Sequence, residues 1–153
     1  KDTLGDLIEL PEVLLKLEKS DRLGQKNGRG FYKYEKGRKT QVDQSVYGEL
    51  GLSAPTDPLS EEEMIGRAMY SMINEAALVL YEEQVVSDVK DLDLAMIMGT
   101  GFPPFRGGLL KWADSVGSEN IVDDLEMYAT KYGQRFKPTN PLRNMAKTQR
   151  TFY

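Results

Sequence analysis

The sequence predicts an all-α fold, and three observations support this prediction. After residue 60, apolar residues recur at spacings of three and four, as they do on one face of a helix. Glycine, proline and serine interrupt this pattern at intervals that suit helix ends. The chain has 153 residues, 40% of them hydrophobic, which suffices for one helical domain or for one domain with part of another.

The first part of the chain predicts a helix, a loop and a short helix. Pro11 fits the first position of a helix, and Gly24 or a neighbour ends that helix. The segment GQKNGRG predicts a loop, and FYKY predicts a short extended segment whose aromatic side chains pack against helices. Residues 35–59 predict a boundary, with the polar segment KGRKTQVDQ, a short helix in VYGELGL and a proline-containing linker at 51–59.

A long helix is predicted after Ser60. Ser60 and Glu63 have the spacing of a capping box, in which the hydroxyl accepts a backbone N–H and the carboxylate reaches back to the cap. Such a helix must bury its apolar face, since each fully buried Leu, Ile or Met stabilises a fold by about 1.5–3 kcal/mol. The apolar face comprises Met64, Ile65, Ala68, Met69, Met72, Ile73, Ala76, Ala77 and Leu80.

A second helix is predicted to begin at Ser87 and to end at Gly99. The segment TGFPPFRGG cannot continue this helix, because Pro103 and Pro104 each fix a φ angle. We expect Gly99, Gly101, Pro103 and Pro104 to form a rigid hinge. This hinge either shapes one wall of a binding cleft or packs as a corner between helices.

Three shorter helices are predicted in the last third of the chain. The first runs from Leu109 to a stop at Gly117, the next is capped by Ser118 and ends at Gly133, and Pro141 opens the last. The tail KTQRTFY is expected to be loosely held unless its two terminal aromatic residues dock.

The composition excludes several classes of function. The chain has no cysteine and no histidine, so it offers neither thiolate chemistry nor the side chain that best transfers protons near neutral pH. No group of residues has the spacing of a metal site. The net charge of −4 argues against a nucleic-acid partner, and no apolar run is long enough for a membrane span. We expect a cytoplasmic protein, and we interpret the start at Lys1 as an internal cut of a longer chain.

Three segments carry a family resemblance. They are DRLGQKNGRGFYKYEKGRK, MINEAALVLYEE and VSDVKDLDLAMIMGTGFPPFRGGLLKWADSVG. Together they resemble the C-terminal helical domain of the 3-hydroxyacyl-CoA dehydrogenase family, most closely that of the multifunctional α-chain of bacterial fatty-acid oxidation complexes. The resemblance implies a helical bundle of the 6-phosphogluconate-dehydrogenase C-terminal-like type. Residues 1–50 would be the tail of a first repeat with the start of a linker, 51–59 the linker, and 60–153 a second tandem repeat.

The resemblance also implies a function for a parent protein, namely NAD-dependent oxidation of 3-hydroxyacyl-CoA in β-oxidation. NAD would bind a Rossmann domain of that parent, whereas this chain would bind no cofactor, carry no catalytic residue and be inactive alone. Its expected role is to cover the substrate cleft and to support assembly. The expected partners are the Rossmann domain, the first helical repeat and a thiolase subunit, together with self-association of the fragment through exposed apolar surface.

Two other functions remain open at this point. The chain could be a free-standing helical interaction module without an enzyme parent, or a module that binds acyl-CoA by itself. The reading frame upstream of Lys1 distinguishes the first alternative, and titration with acyl-CoA and NAD tests the second.

Candidate site residues follow from both the resemblance and the residues themselves. The resemblance points to Asn74, with Glu75, as a substrate contact, whereas a buried amide would equally serve to hydrogen-bond a neighbouring helix end or the hinge. Lys26 and Arg29 lie in the basic loop and are candidates for contact with CoA phosphates, although a tight turn explains GQKNGRG as well. Acid pairs such as Asp91 with Asp93 are predicted to lie on solvated faces or near helix starts.

Overall fold

The computed structural model describes residues 12–53 and 58–153. The helix start predicted at Pro11 and residues 54–57 of the predicted linker lie outside this part. The chain divides into two units, residues 1–58 (unit one) and 59–153 (unit two), so the division falls within the predicted linker. The assignment of these units to two tandem repeats stays a prediction.

Unit one combines two short helices with a two-stranded hairpin. Helix α1 spans Glu12–Lys19 and helix α2 spans Ser45–Leu50. Leu17 of α1 packs with Val46 and Leu50 of α2 in a small apolar core. The extended FYKY segment is confirmed as strand β1, Tyr32–Glu35.

Strand β2, Arg38–Val42, was not predicted, because its sequence is polar and all its side chains are exposed. It pairs antiparallel with β1, with Glu35 opposite Arg38. The turn between the strands holds Lys36 and Gly37 at φ values of +49° and +75°. Two successive positive φ values are typical of a tight hairpin turn.

Unit two is a bundle of five helices that follow one another around a single apolar core. Short 3₁₀ turns precede α5 at Pro104–Arg106 and α7 at Gln134–Phe136. The core draws on every helix and on the tail, with Ile73, Leu110, Ile121, Leu125 and Leu142 fully buried. The helices are α3 (Glu61–Tyr81), α4 (Val89–Thr100), α5 (Leu109–Val116), α6 (Ser118–Tyr132) and α7 (Asn140–Thr148). The all-α prediction is therefore confirmed, with the hairpin as its one addition within the described residues.

Half of the predicted capping box is correct. The Ser60 hydroxyl accepts the backbone N–H of Glu63 at 3.1 Å. The Glu63 carboxylate does not return to the cap. It accepts instead from the Lys131 ammonium and the Tyr132 hydroxyl on α6, because these donors offer a charged and a phenolic partner.

The predicted ends of α4 are wrong by one or two residues. Asp88 rather than Ser87 caps the helix, since its carboxylate accepts the N–H of Lys90 at 2.8 Å. Gly99 lies inside the helix, and Gly101 ends it with a φ of +73°. The left-handed conformation at the end of a helix is easiest for glycine, and the glycine nearer to Pro103 adopts it.

The remaining ends agree more closely with the sequence. Gly117 and Gly133 end α5 and α6 as predicted, and Pro141 lies in the first turn of α7. Ser118 is not a cap: it lies within α6, and its hydroxyl donates to the carbonyl of Arg150 at 3.4 Å. The described helices include none with the length and hydropathy of a membrane span.

Candidate functional site

The first turn of α5 is held by a buried carboxylate from α4. Asp93 is only 3% exposed. Its Oδ1 accepts the N–H of Leu110 at 2.7 Å, and its Oδ2 accepts the N–H of Lys111 at 3.1 Å. Free N–H groups and the helix dipole make a helix start a favourable place for a negative charge. Asp93 therefore caps a helix that begins sixteen residues further along the chain.

Asp93 was predicted to lie on a solvated face or near a helix start; the solvated face is wrong, because the side chain is buried, but it does lie at the start of α5. Asp93 follows Val89 and precedes Ile97 at spacings of four, so it shares their partly buried stripe on α4. That spacing was the one signal in the sequence for its burial. Asp91, by contrast, is exposed as predicted.

The tail of the chain docks through two aspartates. Asp114 accepts the backbone N–H of Phe152 at 2.8 Å and that of Tyr153 at 3.1 Å. Phe152 is buried and stacks on Tyr81, with ring centroids 6.2 Å apart. The Tyr153 hydroxyl donates to Oδ2 of Asp93 at 2.9 Å. The pKa of Tyr153 is raised to about 12, mainly by partial burial and to a smaller extent by this hydrogen bond.

Asn74 holds the segment that leads into α7. Its Nδ2 donates to the carbonyl of Lys137 at 2.9 Å, and its Oδ1 accepts the N–H of Thr139 at 2.7 Å. The amide is buried, so both of its polar ends have partners in the protein. Glu75, the next residue, is exposed. The contacts of Asn74 match the helix-end interpretation, and a role for Asn74 and Glu75 in substrate binding stays a prediction.

An apolar groove lies between α3 and the hinge and encloses about 570 Å³. Of the four predicted hinge residues, Gly101 and Pro103 line it, whereas Gly99 and Pro104 do not. The hinge is thus both a packed corner, through the buried ring of Phe102, and a groove wall. The residues lining the groove are Met64, Ile65, Ala68, Met69, Met72, Thr100, Gly101, Phe102, Pro103, Arg106 and Trp112.

The basic loop of unit one is built around hydrogen bonds of its own. Asn27 Oδ1 accepts the backbone N–H groups of Leu23 and Arg29. The Arg29 guanidinium donates to Glu49 Oε1 at 3.2 Å, while the Lys26 side chain is exposed. The turn interpretation of this loop accounts for its shape, and contact of Lys26 and Arg29 with CoA phosphates stays a prediction.

Unit one also contains a buried guanidinium that the sequence did not indicate. Arg22 donates to both carboxylate oxygens of Glu49 at 2.7 Å and to Asp43 Oδ2 at 2.8 Å. It also donates to the carbonyl of Gly30 at 2.9 Å, so it joins the loop, the hairpin and α2. The hydrogen bond from Arg22 lowers the pKa of Asp43 to about 2, and it also lowers the pKa of Glu49.

Across residues 12–53 and 58–153, acidic side chains form no group of three that could hold a metal ion. The two buried aspartates, Asp43 and Asp93, are both engaged by donors of the protein. The polar side chains described above therefore hold helix ends and the docked tail, and an apolar groove lies beside them in unit two.

Comparison with known proteins agrees with this architecture. The family model of the 3-hydroxyacyl-CoA dehydrogenase C-terminal domain matches residues 64–151. Proteins named fatty acid oxidation complex subunit alpha are similar over 98% of the chain, with 41% identity in Shewanella loihica and 42% in both Shewanella amazonensis and Idiomarina loihiensis. The chain spans only about 21% of the length of these relatives. The resemblance noted from the sequence is confirmed, and the chain belongs to the 3-hydroxyacyl-CoA dehydrogenase C-terminal domain family.

Proposed function

We propose that the chain is the C-terminal helical part of an NAD-dependent 3-hydroxyacyl-CoA dehydrogenase of fatty-acid β-oxidation. In this proposal it covers the substrate cleft and supports assembly, while another part of the parent polypeptide carries out the oxidation. The observation that carries the proposal is the family match over residues 64–151, which includes all five helices of unit two apart from the first turn of α3.

The residues of the chain suit a supporting role better than a catalytic one. Oxidising a hydroxyl group to a ketone requires a base that accepts the hydroxyl proton, and histidine is the usual side chain for this. The chain contains no histidine. The buried carboxylate in unit two, Asp93, already accepts three hydrogen bonds. We therefore infer that the proton acceptor belongs to another part of the parent.

The described residues do not suit NAD binding. A dinucleotide site needs a glycine-rich turn that joins a parallel strand to a helix, so that the helix start faces the pyrophosphate. Gly99 and Gly101 have the first spacing of such a motif, but they lie at the end of a helix and are followed by prolines. NAD would thus bind the Rossmann domain of the parent.

Exposed apolar side chains support the proposed role in assembly. Met98 is 79% exposed and Phe105 is 85% exposed, and both border the hinge. Large apolar side chains grouped on a surface are typical of a protein contact. We propose contacts with the Rossmann domain and first helical repeat of the parent and with a thiolase subunit, and self-association when the chain is isolated. The proposal places the protein in the cytoplasm.

The test uses the complete reading frame that contains the chain. We expect it to encode a G-x-G-x-x-G turn upstream of Lys1 and a protein that forms NADH from 3-hydroxyacyl-CoA. The isolated chain should form none under the same conditions. A start codon directly before Lys1, or NADH formation by the isolated chain at the rate of the complete enzyme, would overturn the proposal. The first result would favour a free-standing interaction module.

A further inference from the structure

The groove in unit two has the chemistry of a site for a long apolar ligand. Its volume of about 570 Å³ is typical of small-molecule pockets, which are mostly apolar with a few polar groups. Three methionines line one side, and their flexible thioether side chains adapt to ligands of different shape. The lining offers few polar groups to pair with the backbone of a protein segment, whereas an alkyl chain needs none.

One cation lies at the edge of this groove. The Arg106 guanidinium lies 5.9 Å from the ring centroid of Trp112 and 5.8 Å from that of Phe105. Among the described residues, no carboxylate lines the groove. Arg106 forms no ion pair with any of the described residues. The charge at Arg106 is therefore available to an anion from outside.

We propose that this groove binds one long acyl chain with an anionic head group, the alkyl part lying along α3 and the head group at Arg106. The head group is either the carboxylate of a fatty acid or a phosphate of an acyl-CoA. This inference rests on the proposed function for the source of the ligand, since a substrate of that function carries such a chain. It goes beyond that function by assigning the acyl chain a place on this unit.

Trp112 provides a direct readout, because it lines the groove and is the only tryptophan of the chain. We expect its fluorescence to shift to shorter wavelength and to saturate on titration with sodium dodecanoate below the micelle concentration. Each additional methylene of the ligand should tighten binding by up to about fourfold, as for a buried CH₂ group. Dodecyltrimethylammonium, with the same chain and the opposite charge, should bind more weakly.

Two variants separate the contributions of charge and shape. Arg106→Gln should weaken dodecanoate binding by about two- to fivefold, the range of an exposed ion pair. The matched control is Arg135→Gln, because Arg135 is also exposed and also lies over an aromatic ring, 5.4 Å from the centroid of Phe136, but outside the groove. Ala68→Phe should fill the groove and abolish binding, with its thermal unfolding showing that the variant folds.

Comparing dodecanoate, dodecanoyl-CoA and CoA identifies the head group. Tighter binding of dodecanoyl-CoA, lost in Arg106→Gln, would support a CoA phosphate at Arg106, and tighter binding of dodecanoate, lost in the same variant, would support the carboxylate. Several results would overturn the inference: no saturable change at Trp112, equal affinity for the cationic amphiphile, or a Trp112 shift that depends on protein concentration alone, as for a second copy in the groove. None of these results affects NADH formation by the complete reading frame, so the two proposals fail separately.

Discussion

Gly108 lies so close to Asp93 that a Cβ atom at position 108 would be 2.2 Å from the carboxyl carbon of Asp93. Gly108 also has a φ of +120°, which disfavours any other residue. This close approach lets the carboxylate reach the first N–H groups of α5. Glycine is thus required at position 108, because a side chain there would displace the carboxylate that caps α5.

Removal of this cap should strongly destabilise unit two. Asp93→Ala leaves the buried N–H of Leu110 and the partly buried N–H of Lys111 without their acceptor. We expect a loss of about 2–4 kcal/mol in the free energy of unfolding. Urea unfolding followed by Trp112 fluorescence measures this loss, and Asp91→Ala, on the exposed face of α4, should change it by less than about 0.5 kcal/mol.

Gly108→Ala tests the close approach separately from the charge. We expect it to cost about 3 kcal/mol or more, because the added methyl group overlaps the Asp93 carboxylate and the φ angle is strained. Gly99→Ala is the matched control, since a Cβ at position 99 meets nothing within 4 Å and the residue is helical. Equal stability of the two variants would mean that position 108 does not lie against the Asp93 carboxylate in solution.

The side chain of Asn74 should stabilise unit two, whereas that of its neighbour Glu75 should not. Asn74→Ala removes the acceptor of Thr139 N–H and the donor to Lys137 carbonyl, and we expect a cost of about 1–3 kcal/mol. Glu75→Ala changes an exposed side chain on the same turn and should have little effect. If both variants keep full stability in urea but weaken NADH formation from 3-hydroxyacyl-CoA by the complete protein, the substrate prediction gains support and the structural role does not.

Features with local causes could be predicted, and those with distant causes could not. The cap at Ser60 depends on a residue three positions away, and the ends at Gly117 and Gly133 depend on one residue each. Asp93, by contrast, has partners 17, 18 and 60 positions away in the chain. Asp93 is buried because α4, α5 and the tail pack together, and no short stretch of sequence contains all three.

The same reasoning applies to the groove and to unit one. The hinge was recognised from its glycines and prolines, but the groove also requires α3, which lies about thirty residues earlier. Strand β2 was missed because a polar, fully exposed strand has no hydrophobic alternation. The Lys36–Gly37 turn between FYKYE and RKTQV was the signal that could have revealed it.

Unit one should lose stability in acid. The pKa of Asp43 is lowered to about 2 by its hydrogen bonds from Arg22 and then Ser45, against about 4 in an unfolded chain. A carboxyl group with a lowered pKa in the folded state stabilises that state above the unfolded pKa and loses this effect as the pH falls to the folded pKa. We therefore expect unit one to weaken between about pH 4 and pH 2.

The NMR amide signals of Val46 and Leu50, both in the core of unit one, report this loss. Arg22→Lys keeps the charge but not the paired hydrogen bonds to Glu49, so its acid transition should begin at a higher pH. Asp21→Asn, which changes an exposed carboxylate next to Arg22, should leave the transition where it is. A transition that Arg22→Lys does not move would mean that the Arg22 contacts do not stabilise unit one.

Docking of the tail should fail in strong alkali. The pKa of Tyr153 is raised to about 12, first by burial and then by its hydrogen bond to Asp93. Since the raised pKa belongs to the folded state, the stabilisation is fully present below about pH 10 and is lost as the pH rises towards 12. Burial also raises the pKa of Tyr70, Tyr81 and Tyr128, so the difference absorbance of the phenolate near pH 12 should fall in Tyr153→Phe by the amplitude of one tyrosine and keep the rest. Asp93→Asn keeps an acceptor but removes the charge, so it should bring that titration closer to pH 10. If Tyr153→Phe leaves the amplitude near pH 12 unchanged, the hydroxyl of Tyr153 is not bound to Asp93 in solution.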